Sequence, residues 1–173
     1  MAVFPTDTLY GLGCRAGDEQ AIARVYELKG RPRDKPSALM CFSMEAAAGV
    51  LSILDPRTSE AVSRLLPGAV LCVLPDGTGL RVPRLEGPLA PLARVPHTVV
   101  QTSANLAGGP DPVRLADVPE AIRQEADVVV NGGTLSGRPS TVVDLTGYEE
   151  AGEWEILREG AVPAARIAEL LGA

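Results

Sequence analysis

Short runs of valine, leucine and isoleucine alternate along this chain with segments of helical periodicity, and this alternation constrains the fold more than any other feature. The runs occupy residues 2–4, 37–42, 69–74, 79–82, 98–102, 127–131, 141–145 and 154–158. Alternating strands and helices predict an α/β fold whose sheet is at least partly parallel. Because several strands follow one another without a helix between them, we expect a mixed sheet rather than a Rossmann order.

Capping residues indicate where the helices between these runs begin and end. The first two predicted helices, each with its cap first, run from Asp18 to Leu28 and from Ser43 to residue 53. The third begins at its cap, Asp55, and ends before Gly68. Gly30 is a stop signal after the first of them, and Pro56 suits the first helical position of the third. Two more short helices are predicted in "VPEAIRQEA" and "VPAARIAELLG".

The composition indicates one domain over residues 1–173 with an aliphatic core. Hydrophobic residues make up 46% of the chain and aromatic residues only 3%, so valine, leucine, isoleucine and alanine must fill the interior. Cys14, Cys41 and Cys72 are widely separated, which predicts buried thiols in a reducing cytoplasm. The longest apolar runs are too short to cross a bilayer, so no membrane contact is expected.

Both lysines of the chain lie in one stretch, "KGRPRDKP", which begins at Lys29 and also contains Arg31 and Arg33. Residues 29–35 hold two lysines, two arginines and one aspartate, whereas the whole chain has a net charge of −6. A basic island on an acidic protein predicts a localised anion site rather than a surface for long polyanions. Lysine and arginine together suit a polyphosphate. A solvated loop after a helix remains the alternative.

Four further polar stretches interrupt the apolar pattern at predicted strand ends. Their candidate residues are Thr6, Asp7, Thr8 and Tyr10 in "PTDTLYGLG", Ser103 and Asn105 in "QTSAN", Ser140 and Thr141 in "GRPSTVVDLT", and Arg158 in "ILREG". Hydroxyls, amides and cations at the rim of an α/β sheet are suited to binding a small anionic ligand. Each stretch also has a structural interpretation, as a turn or a strand-end cap.

Several kinds of site are excluded because their patterns are missing. The chain has no GxxxxGK[ST] and no GxGxxG after a strand, so a nucleotide would not be held by a P-loop or a dinucleotide fingerprint. His97, the only histidine, lies beside Pro96 without a GxSxG motif, and we expect a surface residue there. No cluster of histidine, cysteine and carboxylate residues predicts a tightly held metal.

Taken together and in this order, these stretches resemble the YrdC-like family of threonylcarbamoyl-AMP synthases in its short, single-domain form. The matching motifs are "PTDTLYGLG", the K-x-R of Lys29 and Arg31, "DKP", the "GLRVP" strand, the S-x-N of Ser103 and Asn105, "STVVDLT" and "ILREGAV". The resemblance implies a strongly twisted mixed sheet with helices around it and a deep, positively charged concave cleft.

The resemblance also implies a reaction. L-threonine and bicarbonate would form an N-carboxy compound that attacks the α-phosphate of ATP, giving threonylcarbamoyl-adenylate and pyrophosphate. A tRNA threonylcarbamoyl-transferase complex would then use the adenylate to modify adenosine 37 of tRNAs. Mg²⁺ would accompany the ATP, carried by its phosphates rather than by a protein cage. Fixed cations and donors would offset the repulsion between the two anionic reactants.

The same resemblance implies residue roles. Lys29 and Arg31 would be catalytic. The ATP site would comprise Lys29, Arg31, Lys35, Ser103, Asn105, Ser140 and Arg158, and the threonine and bicarbonate site would comprise Thr6, Thr8, Tyr10, Arg81 and Thr141. No side chain is an obvious general base, so we expect none to be essential, and the bicarbonate or solvent would take the amine proton.

Three features depart from the family pattern. Met1 lies shortly before Pro5, so the N-terminal helix that precedes this motif in most members is expected to be missing or trimmed. Met40 lies where some members have a histidine, and Asp111 lies where small hydroxyl residues are common, so Asp111 is expected to point away from the phosphates or act through a metal. An inactive paralogue and a module that binds tRNA or double-stranded RNA remain alternatives, although few aromatics count against RNA binding.

Overall fold

The computed structural model of the chain describes residues 1–30, 32 and 37–172, which form a mixed sheet with helices packed on it. The strands are β1 (Ala2–Pro5), β2 (Tyr10–Arg15), β3 (Ala38–Met40), β4 (Val70–Val73), β5 (Gly79–Arg81), β6 (Val99–Ser103), β7 (Val128–Val129), β8 (Thr141–Asp144) and β9 (Glu155–Arg158). The helices are α1 (Glu19–Lys29), α2 (Met44–Leu51), α3 (Pro56–Leu65), α4 (Glu120–Glu125), α5 (Tyr148–Ala151) and α6 (Ala164–Leu171), with 3₁₀ segments at Gly87–Arg94 and Leu115–Asp117.

The strand order across the sheet is β7-β1-β2-β6-β3-β5-β4-β8-β9. Three neighbouring pairs are parallel, namely β1 with β7, β3 with β5 and β4 with β8, and the other five are antiparallel. The predicted mixed sheet is therefore confirmed. Strands that are far apart in sequence become neighbours, because β6 lies between β2 and β3 near the middle of the sheet.

All eight predicted strands are present, but β2 was not predicted. Its signal is weak because Gly11 and Gly13 interrupt the apolar pattern, and glycine is depleted in strands. The structure shows why glycine is needed at residue 13. A Cβ atom there would lie 2.8 Å from the carbonyl oxygen of Val100 and 3.3 Å from the ring of Phe4.

The predicted helix caps are confirmed. Asp18, Ser43 and Asp55 each accept a hydrogen bond from a backbone N–H in the first turn of α1, α2 and α3, respectively. Gly30 ends α1 in the left-handed conformation, with φ at 62°, which glycine adopts without strain. The start of α1 and the end that carries Lys29 are therefore both specified by local sequence.

The α-helices pack on one face of the sheet and leave the other face to loops. On the helical face, α2, α3 and α6 enclose a core around Leu80, while α1 and α4 enclose a second core around Leu12. On the opposite face, Met40 is buried against Phe4 and Phe42. Because Met40 is fully enclosed by this packing, it fills space under the loops.

The three cysteines are buried and the single histidine is exposed. Cys14, Cys41 and Cys72 are all free and buried, and burial raises the pKa of the Cys72 thiol to about 12. His97 is exposed, as predicted. Within the described ranges, no helix combines the length and apolar character needed to span a bilayer.

Candidate functional site

A cavity of about 200 Å³ opens on the face of the sheet opposite the helices. Side chains from well-separated parts of the chain line it. The polar residues of the lining are Thr8, Ser37, Arg81, Gln101, Thr102, Ser103, Asp111, Ser140 and Arg158. Hydroxyls and two guanidinium groups therefore surround a hollow that is open to solvent at one side.

Small residues lie on three of the four neighbouring strands β2, β6, β3 and β5, on the face where the cavity opens. Ala38 in β3 pairs with Gln101 of β6, and Gly11 and Gly13 in β2 pair with residues on the other side of β6. In β5, a Cβ atom at Gly79 would lie 3.3 Å from the side chain of Leu71 and 3.5 Å from that of Ala38. These small residues and the neighbouring Gln101 of β6 form the floor of the cavity, and the small residues leave room above it because they project almost no side chain.

Arg81, at the end of β5, is anchored from the turn between β1 and β2. Its Nη2 donates hydrogen bonds to Asp7 Oδ1 at 2.6 Å, to Thr8 Oγ1 at 2.6 Å and to Thr6 Oγ1 at 3.2 Å. Asp7 Oδ2 in turn accepts a hydrogen bond from the backbone N–H of Arg84 at 3.0 Å. The "TDT" turn and the "GLRVP" strand therefore form one connected unit.

The electrostatics of Arg81 favour binding an anion. The side chain is only 5% exposed, and burial lowers its pKa, an effect that Asp7 opposes and the nearby Arg158 reinforces. Its Nε is buried without a hydrogen-bond partner in the described part of the chain. Every hydrogen bond shown for the guanidinium uses Nη2, and Nη1 is not among the enclosed atoms that lack a partner, so Nη1 retains donors for an anion in the cavity.

Thr6 and Thr8 lie two residues apart and do different things. Thr6 is fully buried, donates a hydrogen bond to the carbonyl of Leu9 at 2.7 Å and accepts one from the Leu9 N–H at 3.2 Å, so it fixes the turn. Thr8 lines the cavity, where its hydroxyl accepts from Arg81. The structure thus brings Thr8 to the site and places Thr6 behind it.

Lys29, the last residue of α1, is buried against the S-x-N motif. Its Nζ donates to the carbonyl oxygens of Ser103 and Asn105, the second at 2.6 Å, and to Asn105 Oδ1 at 3.0 Å. Ser103 Oγ donates to Asn105 Oδ1 at 2.7 Å, and Asn105 Nδ2 donates to the carbonyl of Gly109 at 2.7 Å. Lys29, Ser103 and Asn105 therefore converge, and Ser103 lines the cavity. Arg31 and Lys35 lie outside the described residues.

The segments around Ser140 and Arg158 form another wall. Arg158 Nη2 donates to the carbonyl of Ser140 at 2.9 Å, and both residues line the cavity. Thr141 is fully buried beneath them. Its hydroxyl donates to the carbonyl of Val162 at 2.6 Å and accepts from the N–H groups of Gly160 and Val162, so it fastens the two segments together.

Tyr10 is not part of the cavity lining. Its ring lies in the core under α1 and α4, and its hydroxyl donates to the carbonyl of Gly133 at 2.9 Å and accepts from the Gly132 N–H at 2.9 Å. Tyr10 therefore supports the loop at residues 131–133. Alternation along β2 explains its position, because residue 10 faces the helices while residue 11 faces the cavity side.

Gln101, Thr102 and Ser37 also line the cavity, although the sequence patterns did not predict them. Gln101 was the most recognisable of them, because it is a polar residue in an apolar strand and two residues before Ser103, on the same face. Asp111 is an exposed residue and is among those that line the cavity. Within the described residues, no group of three or more histidine, cysteine or carboxylate side chains could hold a metal ion.

Comparisons with known proteins agree with this geometry. The Sua5/YciO/YrdC family model, described as "Telomere recombination", matches residues 1–160. The chain is 31% identical over 188 residues to the threonylcarbamoyl-AMP synthase of Pyrococcus abyssi. This alignment covers 99% of this chain and 54% of that protein. It is also 31% identical over 185 residues to the putative threonylcarbamoyl-AMP synthase of Mycobacterium tuberculosis, and this alignment covers 99% of this chain and 83% of that protein.

The solved structure of P. abyssi Sua5 complexed with L-threonine has the same fold, with a TM-score of 0.83 at 31% identity. The match covers 99% of this chain and 53% of that structure, so the chain spans about half the length of the archaeal relative. The family match extends over most of the sequence and includes the segments that line the cavity. The chain belongs to the Sua5/YciO/YrdC family.

Proposed function

We propose that this chain is an L-threonylcarbamoyladenylate synthase, a nucleotidyltransferase that uses L-threonine, bicarbonate and ATP. One observation carries the proposal: Thr8, Arg81, Ser103, Ser140 and Arg158 come from separate stretches of sequence and line a single cavity. Relatives that carry the name threonylcarbamoyl-AMP synthase support the same assignment.

The proposed reaction has two steps. The amine of threonine combines with bicarbonate to give the N-carboxylate and water. A carboxylate oxygen of this compound then attacks the α-phosphorus of ATP, and the bond from that phosphorus to the bridging oxygen breaks. The products are threonylcarbamoyl-adenylate and pyrophosphate, so the leaving group takes the electron pair of the broken bond.

Arg81 and Thr8 would hold the amino-acid end of the reactants. The guanidinium is already fixed in place by Asp7 and Thr8, so it would bind the carboxylate of threonine or of the carbamate without reorganising. Holding the carbamate oxygen in line with phosphorus supplies the rest of the rate enhancement, because positioning can account for roughly 7–11 kcal/mol of a barrier.

Ser103, Ser140 and Arg158 would contact the phosphates from two sides of the cavity. Lys29 and Asn105 would support Ser103 from behind and contribute charge to the same region. Arg31 and Lys35 would complete the phosphate site from the adjoining stretch. We further propose that Thr6, Tyr10 and Thr141 act by positioning the lining residues rather than by touching the substrates.

The residues present fit a nucleotide that brings its own Mg²⁺. Asp111 is the one carboxylate among the described lining residues, and a carboxylate oxygen is a ligand that Mg²⁺ accepts alongside phosphate oxygens. Asp111 would therefore hold the ion from the protein side, and the bound ion would neutralise phosphate charge. An unpaired carboxylate facing a triphosphate would otherwise weaken binding.

The adenylate is a reactive mixed anhydride, so its consumer must be an acyl-transfer step. We assign that step to a tRNA threonylcarbamoyl-transferase complex. Free, buried cysteines fit a reducing compartment, so we place the reaction in the cytoplasm.

The test is pyrophosphate release from ATP in the presence of L-threonine and bicarbonate. We expect release to require both substrates, and the adenylate to accumulate in equal amount. Release that persists when threonine is omitted would reject the synthase. Steeply salt-dependent binding to duplex RNA without any turnover would favour an RNA-binding module instead.

A further inference from the structure

Gln101 is a long polar side chain on a floor otherwise made of small residues. It lies in β6, opposite Gly13 of β2 and Ala38 of β3, and its side chain lines the cavity. It is only 7% exposed. A buried amide in this position needs partners for both ends, because an unsatisfied polar group in a protein interior is unfavourable.

One end of the amide already has its partner. Gln101 Nε2 donates to the carbonyl oxygen of Thr102 at 2.8 Å. Because only the NH₂ end can donate to a carbonyl oxygen, this contact fixes which end of the amide is which. The side chain lies across Gly11, where a Cβ atom would be 2.8 Å from Nε2.

The amide oxygen of Gln101, at the other end, has no hydrogen-bond partner among the described residues. Gln101 Oε1 accepts no hydrogen bond from any described residue, and it is not among the fully enclosed atoms that lack a partner. The oxygen is therefore open to the cavity. It is a neutral acceptor among guanidinium groups and hydroxyls, so it can select a ligand N–H or O–H without repelling an anion as a carboxylate would.

The register of the sheet relates this acceptor to Arg81, the residue proposed to bind the amino acid. Gln101 pairs with Ala38 and Arg81 pairs with Met40, on opposite sides of β3. The Cα atoms of Gln101 and Arg81 are two strand spacings and two residue steps apart, which is about 12 Å. Both side chains extend from these positions into the cavity. Both residues line the same cavity, so one ligand bound there would lie between them.

We propose that Gln101 is a specificity-determining residue whose Oε1 accepts a hydrogen bond from the amino-acid substrate. This inference rests on the proposed function. The donor is either the nitrogen of the amino acid, which keeps one N–H in the carbamate, or the side-chain hydroxyl of threonine. Arg81 binds the carboxylate by charge, and Gln101 accepts a hydrogen bond from a donor group that a simple carboxylic acid lacks.

The test replaces Gln101 with methionine, which has nearly the same shape and no amide oxygen. Pyrophosphate release is measured with L-threonine and with L-2-aminobutyrate, which lacks the hydroxyl. We expect the KM for threonine to rise about tenfold while the KM for ATP stays the same, since one hydrogen bond is lost. If the hydroxyl is the donor, the preference for threonine over 2-aminobutyrate also disappears. If the nitrogen is the donor, both KM values rise together.

Gln20→Met makes the same chemical change on the exposed face of α1 and serves as the matched control. Gly11→Ala provides a second variant, because its methyl group would displace the carboxamide without removing it. It should raise the threonine KM in the wild-type background and add little to Gln101→Met.

An unchanged threonine KM in a folded, active Gln101→Met protein would overturn this inference and leave the synthase intact. A rise in the KM for ATP alone would overturn it too. A wild-type protein without threonine-dependent release would remove the proposed function, and this inference with it.

Discussion

Two buried cations, Arg81 and Lys29, are held in different ways. Arg81 is anchored through one nitrogen, Nη2, which contacts Asp7 and two threonine hydroxyls. Lys29 directs its single amine at two carbonyl oxygens and one amide oxygen of the S-x-N motif. The arginine therefore has donors left over, whereas the three acceptors shown around the lysine match its three N–H groups.

Burial of a cation therefore does not by itself make it a ligand contact. Arg81 can bind an anion as it stands. Lys29 would have to exchange at least one protein partner to touch a phosphate, although its charge acts on the cavity in either arrangement. We therefore expect Arg81 variants to affect substrate binding most, and Lys29 variants to affect stability as well as ATP binding.

Replacement of Arg81 should have the largest effect on activity. For Arg81→Lys, which keeps the charge but loses the planar fork, we expect kcat/KM for threonine to fall by at least about 100-fold. The measurement is pyrophosphate release against threonine concentration, with ATP saturating. Arg84→Lys, an exposed arginine three residues further on, is the control. A kcat/KM for threonine within threefold of wild type in Arg81→Lys would mean that Arg81 does not bind the substrate more directly than Lys29 does.

Lys29→Met should combine two effects. Three acceptor oxygens lose their donor, so the free energy of unfolding should fall by about 2 kcal/mol in urea denaturation. The KM for ATP should rise in the same protein, while Arg24→Met, on the exposed side of α1, should behave as wild type in both assays. A Lys29→Met protein with weaker ATP binding and unchanged stability would show that the lysine contacts phosphate directly and leaves the S-x-N motif.

Variants of two buried threonines, Thr141 and Thr8, distinguish a residue that positions the site from one that contacts the substrate. Thr141→Val removes the hydroxyl that fastens residues 160–162, so we expect a loss of about 2 kcal/mol in unfolding free energy and a nearly normal KM for threonine. Thr8→Val removes a cavity hydroxyl that also orients Arg81, so the KM for threonine should rise about tenfold. The reverse pattern of KM effects would place Thr141 at the substrates.

Asp7→Asn should have the smallest effect. The amide oxygen can still accept from Arg81 Nη2, so the guanidinium keeps its place and loses only the charge of its partner. We expect the KM for threonine to change by about fivefold or less, and Asp7→Ala to change it more. Equal effects of the two variants would mean that the charge, rather than the hydrogen bond, anchors Arg81.

Local sequence was sufficient for most elements of the fold. The caps at Asp18, Ser43 and Asp55 and the left-handed stop at Gly30 form as predicted, since each depends on neighbours within one turn. β2 could not be predicted, because its glycines are explained by contacts with Phe4 and Val100 from other strands. Prediction was therefore reliable where the determining contacts were local.

The α/β class, the N-terminal caps of α1, α2 and α3 and the polar motifs of the site could be predicted from the sequence. Tertiary contacts place Thr8 at the cavity and Thr6, Tyr10 and Thr141 behind it, and they bring Gln101 to the floor. Thr6 and Thr8 lie in the turn between β1 and β2, where the hydrogen bonds between Thr6 and Leu9 hold the Thr6 side chain inside. Along the strands, side chains alternate between two faces, which separates Tyr10 from Gly11 and Gln101 from Val100. Which face meets the cavity depends on the register of neighbouring strands that are distant in sequence.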